Sequence, residues 1–228
     1  MMTSSCSPII KGLIKSVANN YDDQKEMNVS SLQLTDSKGK TSSLGDLYAG
    51  KTVYMYVWKL SQLVPPGDSD SAYVGLKRRF AKYDDVVFIN VYTGDKKDDS
   101  KLAAELKNKN VESYSLTKDD NNTAFRELIG PSTSPQIVGK DGFILGFKGP
   151  RPTDKLVVDY ALFEARSGIN ATKSTKKLIK GMNREGIKDA ELNTWYEGHF
   201  GKKAGKDLSI SISGDKSNID TGKLSGDK

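Results

Sequence analysis

Two runs dense in β-branched and aromatic residues, Thr52 to Trp58 and Val86 to Tyr92, stand on either side of a segment with helical periodicity. In that segment, from about Ser71 to Tyr83, Tyr73, Leu76, Phe80 and Tyr83 fall on one face while Lys77, Arg78 and Arg79 point largely elsewhere. Strand, helix, strand implies a parallel pair joined by a right-handed crossover. The architecture is therefore expected to be α/β.

The flanking sequence extends this frame. Val29 to Thr35 reads as a strand, Asp36-Ser37-Lys38-Gly39 as a turn, and Ser43 as the cap of a helical turn holding Leu44 and Leu47. A helix is expected over Ser100 to Lys109, a short strand around Val111 to Leu116, and a helix from Thr123 to Ile129 that Gly130-Pro131 stops. Ile137 to Gly139 and Phe143 to Lys148 flank Asp141-Gly142, which suits a two-residue hairpin turn. Asp154 to Ala165 then reads as a helix with Leu156, Tyr160 and Phe163 in one stripe and Gly168 beyond its end. The chain divides into an N-terminal tether (1–26), a main domain (27–168), a basic helical extension (169–200) and a flexible tail (201–228). Within the tether, the spacing of Ile9, Ile10, Leu13, Ile14 and Val17 suits a short amphipathic helix that either docks or floats. A weak strand at Leu208 to Ile212 interrupts a tail otherwise rich in Gly, Ser, Lys and Asp.

Composition removes several chemistries. The chain has 228 residues, 36% of them apolar, enough for one core with appendages. Its longest apolar run, Val53 to Trp58, is far short of the roughly 20 residues of a membrane-spanning helix. One cysteine, Cys6, gives no intramolecular disulfide, dithiol couple or cysteine-rich zinc site, and one histidine, His199, leaves imidazole chemistry poorly supplied. No cofactor or metal site is expected. The formal charge is +6, and residues 169–228 carry 12 of the 35 basic residues against 8 of the 29 acidic ones, so the main body is nearly balanced. The pairs Asp22-Asp23, Asp84-Asp85, Asp98-Asp99 and Asp119-Asp120 lack the alternating spacing of a calcium loop and read as turn and cap residues.

Gly45 to Thr52 satisfies the phosphate-loop pattern G-x-x-x-x-G-K-S/T letter for letter. A phosphate loop, however, joins a strand to a helix whose N-terminal amides face the phosphates. Here Lys51-Thr52 opens a strand and the residues before it form a helical turn. The order is inverted, and nucleotide binding is not expected.

The whole arrangement carries a more informative resemblance. Gly50-Lys51 before an aromatic strand ending in Trp58, then a helix, a strand, and later Thr133-Ser134-Pro135 before a hairpin, together resemble the thioredoxin-like superfamily. The likeness is to its membrane-associated thiol-disulfide oxidoreductases and thiol-specific antioxidant relatives, over about residues 27 to 166. It implies a central mixed β-sheet flanked by helices, here with a C-terminal extension. Those families place C-x-x-C, often C-P-P-C, just after the tryptophan-ended strand, where the helix dipole stabilises a thiolate. The corresponding residues here are Val64-Pro65-Pro66-Gly67. The prolines match and the cysteines do not, so this site reads as degenerate. Dithiol exchange and one-cysteine peroxidase chemistry both lack their nucleophile. The resemblance also puts Pro135 at the position of the family's cis-proline, which presents a backbone edge to bound peptide.

Shape without redox chemistry implies a non-catalytic binding or scaffold protein. The competing class is an enzyme of the same superfamily acting through an unrecognised site. Ser4-Ser5-Cys6-Ser7 resembles the end of a bacterial lipoprotein signal, which makes Cys6 a candidate lipid attachment site at the cell envelope. The alternative is a cytoplasmic free thiol near a frayed terminus. Partner proteins of an envelope assembly are expected, with Trp195, Tyr196 and Phe200 either anchoring a partner or packing on the domain. The run Lys173, Lys176, Lys177, Lys180 and Arg184, free of acids, is either a solvated face or a surface for lipid headgroups, and nucleic acid is not expected.

Overall fold

The structure is a computed structural model and describes residues 12, 15–22, 24, 26–59, 71–94, 113–130, 134–183, 186–205, 208, 210–213 and 218–220. Strand β3 (Thr52–Trp58) occupies the middle of a seven-stranded sheet with β4 (Val86–Tyr92) parallel on one side and β6 (Ser134–Val138) antiparallel on the other. Beyond β4 lie β5 (Tyr114–Leu116), parallel to it, then the hairpin of β1 (Gln33–Thr35) and β2 (Thr41–Ser43). Beyond β6 lies β7 (Ile144–Gly146), and the full order is β2-β1-β5-β4-β3-β6-β7. The expected parallel crossover is present, with helix α2 (Ser71–Phe80) between β3 and β4. Helix α1 (Leu44–Tyr48) starts at Ser43, whose hydroxyl accepts from the Asp46 amide at 3.0 Å as a cap should.

Alternation along β3 builds two cores. Tyr54 and Tyr56 face one side of the sheet and Val53, Met55 and Val57 the other, as the two-residue strand period requires. On the second side, helix α3 (Asp120–Ile129) closes the smaller core with Phe125 and Ile129. Its cap is Asp119, whose carboxylate accepts from the Asn122 amide, which bears out the reading of that acidic pair.

The first side is deeper. Helix α4 (Val157–Ala165) lies on the sheet and is buried almost all round because two more helices cover its outer face. These are α5 (Ala171–Gly181) and α6 (Ala190–Phe200), joined by the short hairpin β8 (Met182–Asn183) and β9 (Gly186–Ile187). Ala171, Leu178, Ile179 and Leu192 share one core with Tyr54, Leu76 and Ile137. The core therefore runs straight through the boundary expected at Gly168, which marks only the α4 to α5 turn, at φ +77°.

Other expectations change. The hairpin after β6 is a three-residue loop: Gly142 donates to Gly139 O, Gly139 donates to Phe143 O, and only Gly142 of the pair Asp141-Gly142 has positive φ. A two-residue type I′ turn needs positive φ at both positions. The tether docks at its inner end, where residues 15–19 are helical, Ala18 and Tyr21 are buried, and Thr172 Oγ1 donates to Ala18 O. The tail is anchored as well: Ile210 and Ile212 enter the core, and β10 (Ser211–Ser213) pairs antiparallel with β11 (Asn218–Asp220). Two isoleucines are enough because Ser211 also ties down the start of α4, accepting from Lys155 N at 2.8 Å and donating to Thr153 O at 2.9 Å.

Candidate functional site

The C-terminal end of β3 is where the family resemblance locates chemistry. Trp58 is fully buried there, donates from Nε1 to Ser113 Oγ at 3.1 Å, and packs on the Tyr92 ring at 5.0 Å between centroids. Val64, Pro65, Pro66 and Gly67 lie outside the described residues, as do Cys6 and the helix expected at Ser100 to Lys109. Across the sheet, Pro135 lies within β6 opposite Tyr56 and is buried, and its carbonyl accepts from Gly149 N at 2.8 Å. Among the described residues no peptide bond is cis, so Ser134-Pro135 is trans. The pairing of Ser134 to Val138 with Val57 to Val53 is continuous through this bond, and an extended ladder requires trans geometry there.

The phosphate-loop pattern is a surface turn. Gly45 lies in α1, Gly50 takes φ +70° to turn the chain, Lys51 Nζ donates to Asp84 O at 2.7 Å, and Thr52 is a buried residue of β3. Among the described residues no helix begins at Lys51-Thr52, which instead leads into β3.

A constellation that sequence reasoning missed lies between α2, α4 and α6. Asp159, 1% exposed, holds Arg79 through two bonds of 2.5 and 3.0 Å and meets His199 Nε2 at 3.0 Å. The other imidazole nitrogen, Nδ1, is 3.0 Å from the Tyr83 hydroxyl. The ring is sandwiched between Tyr83 and Trp195, nearly parallel to both at 13° and 15°. His199 is thus buried, not the surface residue its polar sequence context implies. The signal was Asp159 itself: a lone acid inside Val-Val-Asp-Tyr-Ala-Leu needs a buried partner. Carboxylate, imidazole and phenol in a row look like a proton relay, yet the charge of Asp159 is already met by Arg79. Burial pushes the Tyr83 phenol above its ordinary range, with nearby Arg166 pulling it back only in part. The phenol keeps its proton, so the row works as a cross-link that seats α6 on the domain.

Trp195, Tyr196 and Phe200 belong to that seat. Trp195 packs edge-on against Tyr160 at 4.6 Å and against Phe200 at 5.9 Å, and Tyr196 is 4% exposed. Trp195 and Tyr196 are buried in the core and Phe200 packs partly buried against it, so much of their apolar area already meets the domain. Beside them, a cleft of about 550 Å³ opens between α4 and α6, walled by Tyr83, Tyr160, Phe163 and Trp195 with Glu164 and Glu191 at the rim. Burial raises the Glu164 carboxyl, and it drives the Tyr160 phenol up to about 12. Lys177 bridges the two carboxylates, 2.6 Å from Glu191 and 3.8 Å from Glu164. A second network pins the far end of the sheet, with Asp85 bound to Arg166 at 2.6 Å and Lys140 at 2.7 Å. Burial opposes ionisation of Asp85, and these two cations outweigh it and hold its carboxyl below the usual range.

Among the described residues no cluster of His, Cys, Asp or Glu has the makings of a metal site, and no helix is long and apolar enough to cross a membrane. No family model and no curated protein matches the chain. Solved structures similar to it include a protein from Bacteroides vulgatus described as a thiol-disulfide oxidoreductase. That likeness has 23% identity, 62% of this chain, 90% of the other and a TM-score of 0.46. Another is a thiol:disulfide interchange protein of the thioredoxin family from Chlorobium tepidum, with 15% identity, 61% and 96% coverage and a TM-score of 0.42. The strand order carries the fold: a parallel β3-α2-β4 crossover followed by antiparallel β6 and β7 and the covering helix α4. The fold is thioredoxin-like, and with a single cysteine the chain holds no dithiol pair.

Proposed function

We propose that this chain is a non-catalytic thioredoxin-like binding module, held at a bacterial envelope membrane by a lipid on Cys6 and serving as an accessory subunit there. One observation carries the reading: the sheet and crossover of a thioredoxin-like domain are complete, while the only thiol, Cys6, precedes them in the chain. Thiol-disulfide exchange needs an attacking and a resolving thiol. What such a frame retains is its surface. The Ser4-Ser5-Cys6-Ser7 string supports attachment, since acylation at this cysteine would leave the residues after it as a tether to the domain.

The test has two arms. Insulin reduction by the Cys6→Ser variant is expected to stay at the uncatalysed rate, and a partner in fixed ratio is expected to co-purify with the chain from detergent-solubilised envelope membranes. Turnover by that variant, or recovery of the chain alone, would overturn the reading. Labelled palmitate supplied to cells making the protein from its native gene is expected to enter it and to be lost on Cys6→Ser.

A further inference from the structure

We infer that the outer face of α5 is a contact surface for anionic lipid headgroups. Lys173, Lys176 and Lys180 are all exposed, and their spacing of three and four residues puts them in one stripe about 10 Å long. The opposite face of the helix, with Ala171, Thr172, Ser174, Thr175, Leu178 and Ile179, is buried, so the stripe cannot rotate inward. No acid occurs in α5. Among the described residues, the acids near it are engaged elsewhere: Glu164 and Glu191 share Lys177, and the carboxylate of Asp189 caps α6 on the Leu192 amide at 3.0 Å. Among the described residues, none of the three lysines makes an ion pair.

Position joins charge. The tether enters the domain at the first turn of α5, through Thr172 and Ala18, and exposed Lys15 stands one turn earlier in the same helical segment. Cys6 is nine residues before Lys15, a span of at most about 30 Å, so a lipid there keeps this end of α5 close to the bilayer. Charge complementarity then selects the occupant: a leaflet with negative surface potential attracts each lysine that comes near it. The orientation rests on the lipid anchor proposed above; the affinity for headgroups does not.

The experiment therefore uses the full chain without an acyl group. It is expected to co-sediment with vesicles of phosphatidylglycerol and phosphatidylcholine, to ignore vesicles of phosphatidylcholine alone, and to be released by high salt. Lys173→Gln, Lys176→Gln and Lys180→Gln should each weaken binding about fivefold, and the triple variant on the order of a hundredfold. Glutamine keeps helix propensity and the sites are exposed, so the variants fold. The control pair Lys202→Gln and Lys203→Gln, exposed residues beyond α6, should bind as the parent does. The inference fails if phosphatidylglycerol vesicles are not bound, if the triple variant binds equally, or if a duplex oligonucleotide is bound more tightly than the vesicles. Failure of palmitate labelling with vesicle binding intact would remove the anchor and leave this surface standing.

Discussion

Asp159 shows how one buried charge organises its surroundings. A carboxylate with a side chain only 2% exposed is costly unless neutralised and fully hydrogen-bonded, and Arg79 and His199 together provide that. Removing either donor differs from removing the acceptor. Asp159→Ala leaves a partly buried guanidinium and an imidazole facing a cavity, and should cost about 3 kcal/mol. His199→Gln retains one donor toward Asp159 and loses the bond to the Tyr83 hydroxyl together with the ring contacts to Tyr83 and Trp195, for about 2 kcal/mol. Urea unfolding followed by tryptophan fluorescence should rank the variants in that order. Equal midpoints would mean that the row does not seat α6.

Helix α6 is held by its ends more than by its propensity. Asp189 caps its start, Gly201 in the left-handed region ends it with its amide on Glu197 O, and Lys82 Nζ reaches the carbonyls of Gly198 and His199 at 2.6 and 2.7 Å. The interior is less well chosen. Gly198 is exposed and a methyl group there would meet nothing within 4 Å. Gly198→Ala should therefore stabilise the protein by about 0.5–1 kcal/mol, by restricting the unfolded chain and favouring the helix. The check is a rise in the urea midpoint with an unchanged slope; a fall would reveal a backbone requirement at this position.

The molecule as a whole is larger than a minimal domain of its kind and does not divide where its sequence does. A chain ending at Gly168 would strip α5 and α6 from α4 and uncover Tyr160 and Phe80, whose rings meet Trp195 and His199. Burial of this kind is worth roughly 25 cal/mol per Å² of apolar surface, and a domain with a few kcal/mol to spare cannot lose it. The truncated chain should lose cooperative unfolding and bind a hydrophobic dye, while one ending at Ser213 should retain both helices and unfold cooperatively. Thermal scans of the two would settle the matter, and a sharp transition in the shorter chain would restore Gly168 as a true boundary.

Local rules carried the frame. The strand periods of Thr52 to Trp58 and Val86 to Tyr92, the caps Ser43 and Asp119 and the missing cysteines follow from composition and spacing, because each depends on neighbours within a few residues. Tertiary contacts decided the rest. His199 sits 40 residues from Asp159 and 116 from Tyr83, and no local pattern brings them together. Trp195 looks the same in sequence whether it points to a partner or to Tyr160. A polar stretch looks like a tail until Ile210 and Ile212 find a core to enter. Burial is a property of what lies opposite, and only the folded chain supplies the opposite face.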